Sequence, residues 1–201
     1  MADMSNLQQL EIELVGTWNA WRDMADACRT TIRMDRGNKP ITEKYAKTLY
    51  GCEHSPIRLK WYRFKVKNIP YWIAMHFRTH KIGIEHFIST QRDDRTNVDR
   101  EQSPQDALVD WEFIVNTNAI IFISRRRLCS GAHWKTRYVW KKILEVIKED
   151  DAVLVSMCVP DCVYRGHCFE HFSCDYHHTE AFQKALKEYR SGINETPKVQ
   201  K

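Results

Sequence analysis

Leu10, Ile12 and Leu14 alternate with Glu11 and Glu13. A period of two over residues 1–16 predicts a half-buried strand. The period then lengthens: Trp18, Trp21, Ala25, Cys28 and Ile32 recur at helical spacing. They predict a helix over 17–34 that Thr17 or Asn19 can cap. DRGNKP at 35–40 reads as a turn. A second helix over 42–50 ends at Gly51, a residue suited to the position after a helix. The stretch 57–67, IRLKWYRFKVK, is rich in β-branched and aromatic residues and interleaves cations, as an edge-protected strand does. Pro70 suits the first position of a helix, because its missing N–H costs nothing there. Tyr71, Trp72, Ile73, Ala74 and Met75 give that helix an apolar base.

Further on, an amphipathic segment over 105–115 runs into Asn116, which opens an apolar element ending in Arg125, Arg126 and Arg127. Tyr138, Ile143, Leu144 and Ile147 place an apolar face on a long helix over 133–148. The short apolar run 152–157 reads as a strand. A last helix covers 179–190, and the polar tail 191–201 is expected to fray. Helices and strands mixed in this way predict an α/β (α+β) fold. No internal repeat or low-complexity segment interrupts it.

The chain has 201 residues, which fits one domain or one domain with a small appendage. Hydrophobic residues make up 43%, enough to build a core. The formal charge of +5 agrees with a phosphate-bearing ligand and is too small to argue for duplex nucleic acid, so nucleic acid is not expected as a partner. No apolar run approaches the roughly 20 residues of a membrane span. The first residues lack the basic and apolar regions of a secretion signal, so the expected location is the cytoplasm. In that compartment seven cysteines point to thiols or metal ligands rather than to a disulfide framework.

Candidate chemistry concentrates between Pro70 and Arg95. His76, Arg78, His80, Lys81, His86, Arg92 and Arg95 lie among Ser89, Thr90 and Gln91. Clustered cations, imidazoles and hydroxyls suit an anion such as a phosphate. The reading without function is a charged, solvated surface. In this segment Thr79-His80-Lys81 is followed by seven residues and then Ser89, with Gln91 and Arg92 next. This resembles the signature of the flavin-dependent thymidylate synthases, Arg-His-Arg, seven residues, Ser. Thr79 stands where the family has its first arginine, and Arg78 precedes it. Gly51-Cys52-Glu53-His54-Ser55-Pro56 resembles the family's Gly-His-Glu-Thr-Pro turn, and Leu59 falls near its flavin-contacting histidine. Arg100 lies four residues before Pro104, at the spacing of a phosphate-holding arginine of the family. Arg127 lies seven residues before Trp134, where the family has an arginine before Ala-Gln-Trp-Glu. Asn118 replaces the arginine of the family's Asn-x-Arg, and His133 its glutamine.

The resemblance implies a central, mostly antiparallel sheet with flanking helices. It implies methylation of dUMP at C5, with methylenetetrahydrofolate as carbon donor, FAD as hydride carrier and NADPH as electron source. By position, Ser89 and Arg127 are the catalytic candidates. His76, Gln91, Arg92 and Arg100 join them in holding the nucleotide. Arg78, His80, Lys81, Asn116 and Asn118 face the flavin. The family shares its sites between subunits, so a homotetramer is implied.

CVPDCVYRGHCFEHFSC, residues 158–174, holds Cys158, Cys162, Cys168 and Cys174, separated by three, five and five residues. Turn residues between them make a four-thiolate structural metal site compatible with this spacing, with zinc ahead of an iron–sulfur cluster. The reading without metal is a set of reduced, partly buried thiols. The segment looks like an addition found in small, phage-type relatives of the synthases. The expected organisation is a core over 1–155, a Cys-rich metal-stapled segment over 156–178, a helix over 179–190 and a tail over 191–201. Two other functions remain open: a catalytically altered nucleotide binder, and a zinc-stapled nucleic-acid-binding protein.

Overall fold

The alternating first segment becomes strand β1 (Glu11–Trp18) in the computed structural model, which describes residues 7–97 and 99–191. The tail expected to fray lies, from residue 192 on, outside the described residues. Two compact units share the chain: 1–17 with 61–115, and 18–60 with 116–201.

The first unit is built on a four-stranded antiparallel sheet in the order β1-β2-β4-β3. Strand β2 (Trp61–Pro70) starts four residues later than the sequence pattern suggests, because Ser55–Leu59 forms a 3-10 turn. Helix α3 (Tyr71–Arg78) follows directly. Its first N–H groups would be orphaned; Tyr71 and Trp72 instead donate to the carbonyls of Ala107 and Gln105, at 2.9 and 3.2 Å. Strand β3 (Ile84–Ile88) comes next, then the single turn α4 (Asp93–Thr96), a 3-10 turn at Arg100–Gln102 and strand β4 (Leu108–Asn116). Alternation puts Tyr62, Phe64 and Val66 of β2 on the buried face with Val109, Trp111, Phe113 and Val115 of β4. Ile73, Ala74 and Phe77 of α3 are fully buried as well. Phe77 stacks on Trp111 at 4.9 Å, Trp111 on Phe113 at 4.2 Å and Phe113 on Phe64 at 5.3 Å. Each such ring contributes about 1.5–3 kcal/mol by burial.

The helix predicted from Pro70 is therefore short. The Thr79 hydroxyl turns back onto the His76 carbonyl at 2.8 Å, and Gly83 takes a positive φ of 72° before the β-branched run begins. His80 and Lys81 consequently lie in a turn. The segment 105–115 is likewise a strand from Leu108, pairing Ile84 with Val115 and Ile88 with Trp111.

Helices make up the second unit: α1 (Trp21–Thr31), α2 (Glu43–Gly51), α5 (Thr117–Arg127), α6 (Trp134–Asp150), α7 (Ala152–Ser156), α8 (Asp161–Arg165) and α9 (Glu180–Arg190). Ala20, not Thr17 or Asn19, caps α1, and the Asp23 carboxylate accepts from its N–H at 2.7 Å. The expected strand at 152–157 is helix α7. Asp151 Oδ1 accepts from Leu154 N at 2.9 Å, and this cap outweighs the β-preference of two valines.

Asp151, 1% exposed, is also the polar centre of this unit. Its Oδ2 accepts from Trp21 Nε1 at 2.8 Å, Tyr50 Oη at 2.7 Å and Lys60 Nζ at 2.9 Å. Lys60 also pairs with Asp150 at 2.8 Å. A buried carboxylate supplied with this many donors is fully satisfied.

Candidate functional site

In the first unit a hollow of about 430 Å³ lies among α3, the end of β3 and the 3-10 turn at Arg100–Gln102. Arg78, Ser89, Gln91 and Arg100 all line it, with His86 and Thr90 beside them and Tyr71 and Met75 at its apolar side. These residues span 30 positions of sequence and meet because α3, β3 and the following turns fold back together. Ser89 is locked to β4: its N–H donates to the Asp110 carbonyl at 2.8 Å, and its Oγ accepts from Asp110 N at 3.0 Å. The Ser89 O–H is thereby left to donate. Two guanidiniums, a hydroxyl donor and an amide on one concave surface suit a phosphate.

His86 belongs to the cluster of cations and imidazoles read from the sequence, which gives it no individual role. It lines the hollow, but both of its ring nitrogens are engaged. Nδ1 accepts from Trp111 Nε1 at 3.1 Å, so Nε2 carries the proton and donates to the His80 carbonyl at 3.0 Å. Burial is the main cause that holds its pKa below the usual value, and the charge of Arg78 acts in the same direction. Through these two bonds His86 ties the turn after α3 to β4. The alternation Ile84, His86, Ile88 on one strand face is the signal that separates it from the rest of that cluster.

Other expected nucleotide and flavin residues lie elsewhere. His76 packs edge-on against Trp72 at 5.2 Å and does not line the hollow. Arg92 is exposed and holds Asp94 through two bonds, at 2.9 and 2.8 Å. Lys81 is exposed on the turn after α3. Asn116, Asn118 and Arg127 are carried by the second unit. Asn116 Oδ1 caps α5 by accepting from Ala119 N at 2.9 Å, and Asn118 is half-buried in its first turn.

The three consecutive arginines have three different environments. Arg125 is buried, pairs with Glu53 and lies 3.5 Å over the Tyr164 ring. Arg126 is exposed and pairs with Glu170 at 3.0 Å. Arg127 is half-buried, and burial, then the Arg126 charge, pulls its pKa below the ordinary value.

A second hollow, of about 700 Å³, lies within the second unit between the end of α5 and the segment that carries α8. Cys162, Cys168 and Cys174 line it, together with Cys129. Cys158, expected in the metal set, does not. Its thiol is buried, donates to the Leu154 carbonyl at 3.5 Å, and is pushed by burial up to about 12. Among the described residues no three His, Cys, Asp or Glu side chains are grouped to hold a metal ion as they stand, so the expected zinc staple is not shown. No helix among the described residues is long and apolar enough to cross a membrane.

No protein-family model and no curated protein matches the sequence. Solved structures do match. The chain is similar to the flavin-dependent thymidylate synthase ThyX from Helicobacter pylori complexed with FAD and dUMP, with a TM-score of 0.62 at 10% identity. That match covers 74% of this chain and 99% of the synthase. It is also similar to the UMP/dUMP methylase PolB from Streptomyces cacaoi bound with 5-Br dUMP, with a TM-score of 0.59 at 12% identity. Here 74% of this chain and 94% of the methylase are covered. The chain thus has the fold of the flavin-dependent thymidylate synthases.

Proposed function

We propose that this chain binds a pyrimidine nucleoside monophosphate, dUMP or UMP, and methylates it at C5. Methylenetetrahydrofolate is the carbon donor, and FAD and NADPH are the redox partners. The observation that carries this reading is the meeting of Arg78, Ser89, Gln91 and Arg100 on one hollow, in a chain with this fold. Both structural relatives are described with a uridine monophosphate or its analogue.

Arg100 and the Ser89 hydroxyl hold the phosphate, with Gln91 as a further donor. Arg127, carried by the second unit, is the guanidinium that the family resemblance assigns to the pyrimidine. A half-buried guanidinium beside N3 and O2 stabilises the negative charge that develops as C5 becomes nucleophilic. The donor set fits the flavin's phosphates too: Arg78 lines the hollow and Lys81 follows on the next turn. When bound, FAD supplies the hydride. His80 is oriented through its carbonyl by His86, and Asn116 keeps its amide N–H group for a ligand. Subunits of a homotetramer complete the sites.

Calorimetric titration with dUMP and UMP tests the reading, with the absorbance of purified protein recorded alongside. The expected result is a yellow protein whose dUMP affinity falls at least about 30-fold, roughly 2 kcal/mol, in Arg100→Ala. Unchanged affinity in both Arg100→Ala and Arg127→Ala sinks it. Binding without turnover is the second reading. Thr79 favours it, because a hydroxyl bonded to the His76 carbonyl offers an anion no charge. A colourless protein that binds dUMP normally would decide for it.

A further inference from the structure

Four of the seven thiols surround one hollow, and they come from two distant parts of the sequence. Cys129 lies two residues past the end of α5. Cys162 is in the first turn of α8. Cys168 follows Gly166, whose φ of +83° reverses the chain, and Cys174 precedes a 3-10 turn at Tyr176–His178. All four are free thiols.

Two of the sulfurs accept hydrogen bonds of the same kind. The N–H of Gly131, two residues after Cys129, donates to its Sγ at 3.4 Å. Cys174 accepts from the Ser130 hydroxyl and from the N–H of Tyr176, again two residues on. All four thiols line the same hollow. Four thiolates gathered on one hollow repel unless a cation lies between them.

We propose that Cys129, Cys162, Cys168 and Cys174 hold one tetrahedral divalent cation of the zinc class. Four sulfurs at about 2.3 Å leave no open position, so the site is structural. The side chains turn inward across the hollow to reach it, and each thiol releases its proton on binding. The site ties the end of α5 to the segment before α9. Cys158 takes no part.

Metal analysis of the purified full-length protein, with thiols counted under denaturing conditions, tests this. One equivalent of zinc is expected in the wild type and in Cys158→Ser, with near-complete loss in Cys129→Ser and Cys168→Ser. Because a serine variant can fail to fold, wild-type protein is also reconstituted with cobalt(II). The expected spectrum shows sulfur-to-cobalt charge transfer and the intense visible bands of a tetrahedral thiolate site. Any of four results overturns the proposal: disulfides among the four, iron with labile sulfide, metal retained in Cys129→Ser, or an octahedral cobalt spectrum.

Discussion

Trp111 donates its indole N–H to His86 Nδ1 at 3.1 Å, and this fixes which nitrogen of the imidazole carries the proton. Protonating Nδ1 would set two N–H groups against each other, on a ring already disfavoured as a cation by burial. The folded-state pKa therefore lies below the ordinary value of 6.5. A histidine whose pKa is depressed by folding contributes stability above the unfolded value. It loses that stability as pH falls through its own lower pKa. Thermal midpoints should drop on acidification below about pH 6.5 more steeply in the wild type than in His86→Gln. Proton NMR of Trp111→Phe should show His86 titrating at higher pH than in the wild type, because the opposing donor is gone. Equal titration curves would mean that burial alone sets the shift.

Arg125 and Arg127 are neighbours in sequence that should fail in opposite ways. Arg125→Ala leaves Glu53 without its partner and uncovers Tyr164. A loss of about 3 kcal/mol is expected in urea unfolding, at the low end for a broken buried pair because Glu53 keeps some solvent. Arg127→Ala should cost about 1 kcal/mol or less and abolish dUMP binding. Equal effects of the two on binding would show that the register is misplaced.

Asp151→Ala removes the cap on Leu154 together with the acceptor shared by Trp21, Tyr50 and Lys60. The cost should be about 4 kcal/mol. Asp151→Asn keeps a capping oxygen and should lose less, and Asp150 still offers Lys60 a carboxylate. Chemical denaturation of both variants checks the order.

Gly166 holds a left-handed conformation, and a Cβ there would come within 2.5 Å of Arg190 Nη2. Gly166→Ala should lower stability by about 1 kcal/mol, as read from the thermal midpoint. A smaller change would mean that Arg190 moves aside and the turn tolerates the strain.

Local periodicity made the outlines of β1, α1, α2, α6 and α9 legible, because each buries one regular face. It failed where a single side chain decided the outcome. Residues 152–156 carry two valines, yet one carboxylate at the cap makes them helical. Thr79 and Gly83 end α3 early, so the residues after it belong to a turn and a strand. At the candidate site, Arg78, Ser89, Gln91 and Arg100 could be named through the family resemblance, whose signature lies in this one stretch. Cys129 could not: 28 residues separate it from the next cysteine, and only the fold of the second unit brings it near Cys162. Cys158 had the right spacing and the wrong side of its turn.

The carboxylate of Asp151 also has a bearing on how the protein is made. Tyr50 and Lys60 reach it across 101 and 91 positions of sequence, with the whole of 61–115 between. During synthesis the early helices leave the ribosome long before their shared acceptor exists. Until residue 151 emerges, Lys60 has to keep its charge in water. The second unit should accordingly close late and cooperatively, and chains truncated before residue 151 should remain open to proteases at α1 and α2.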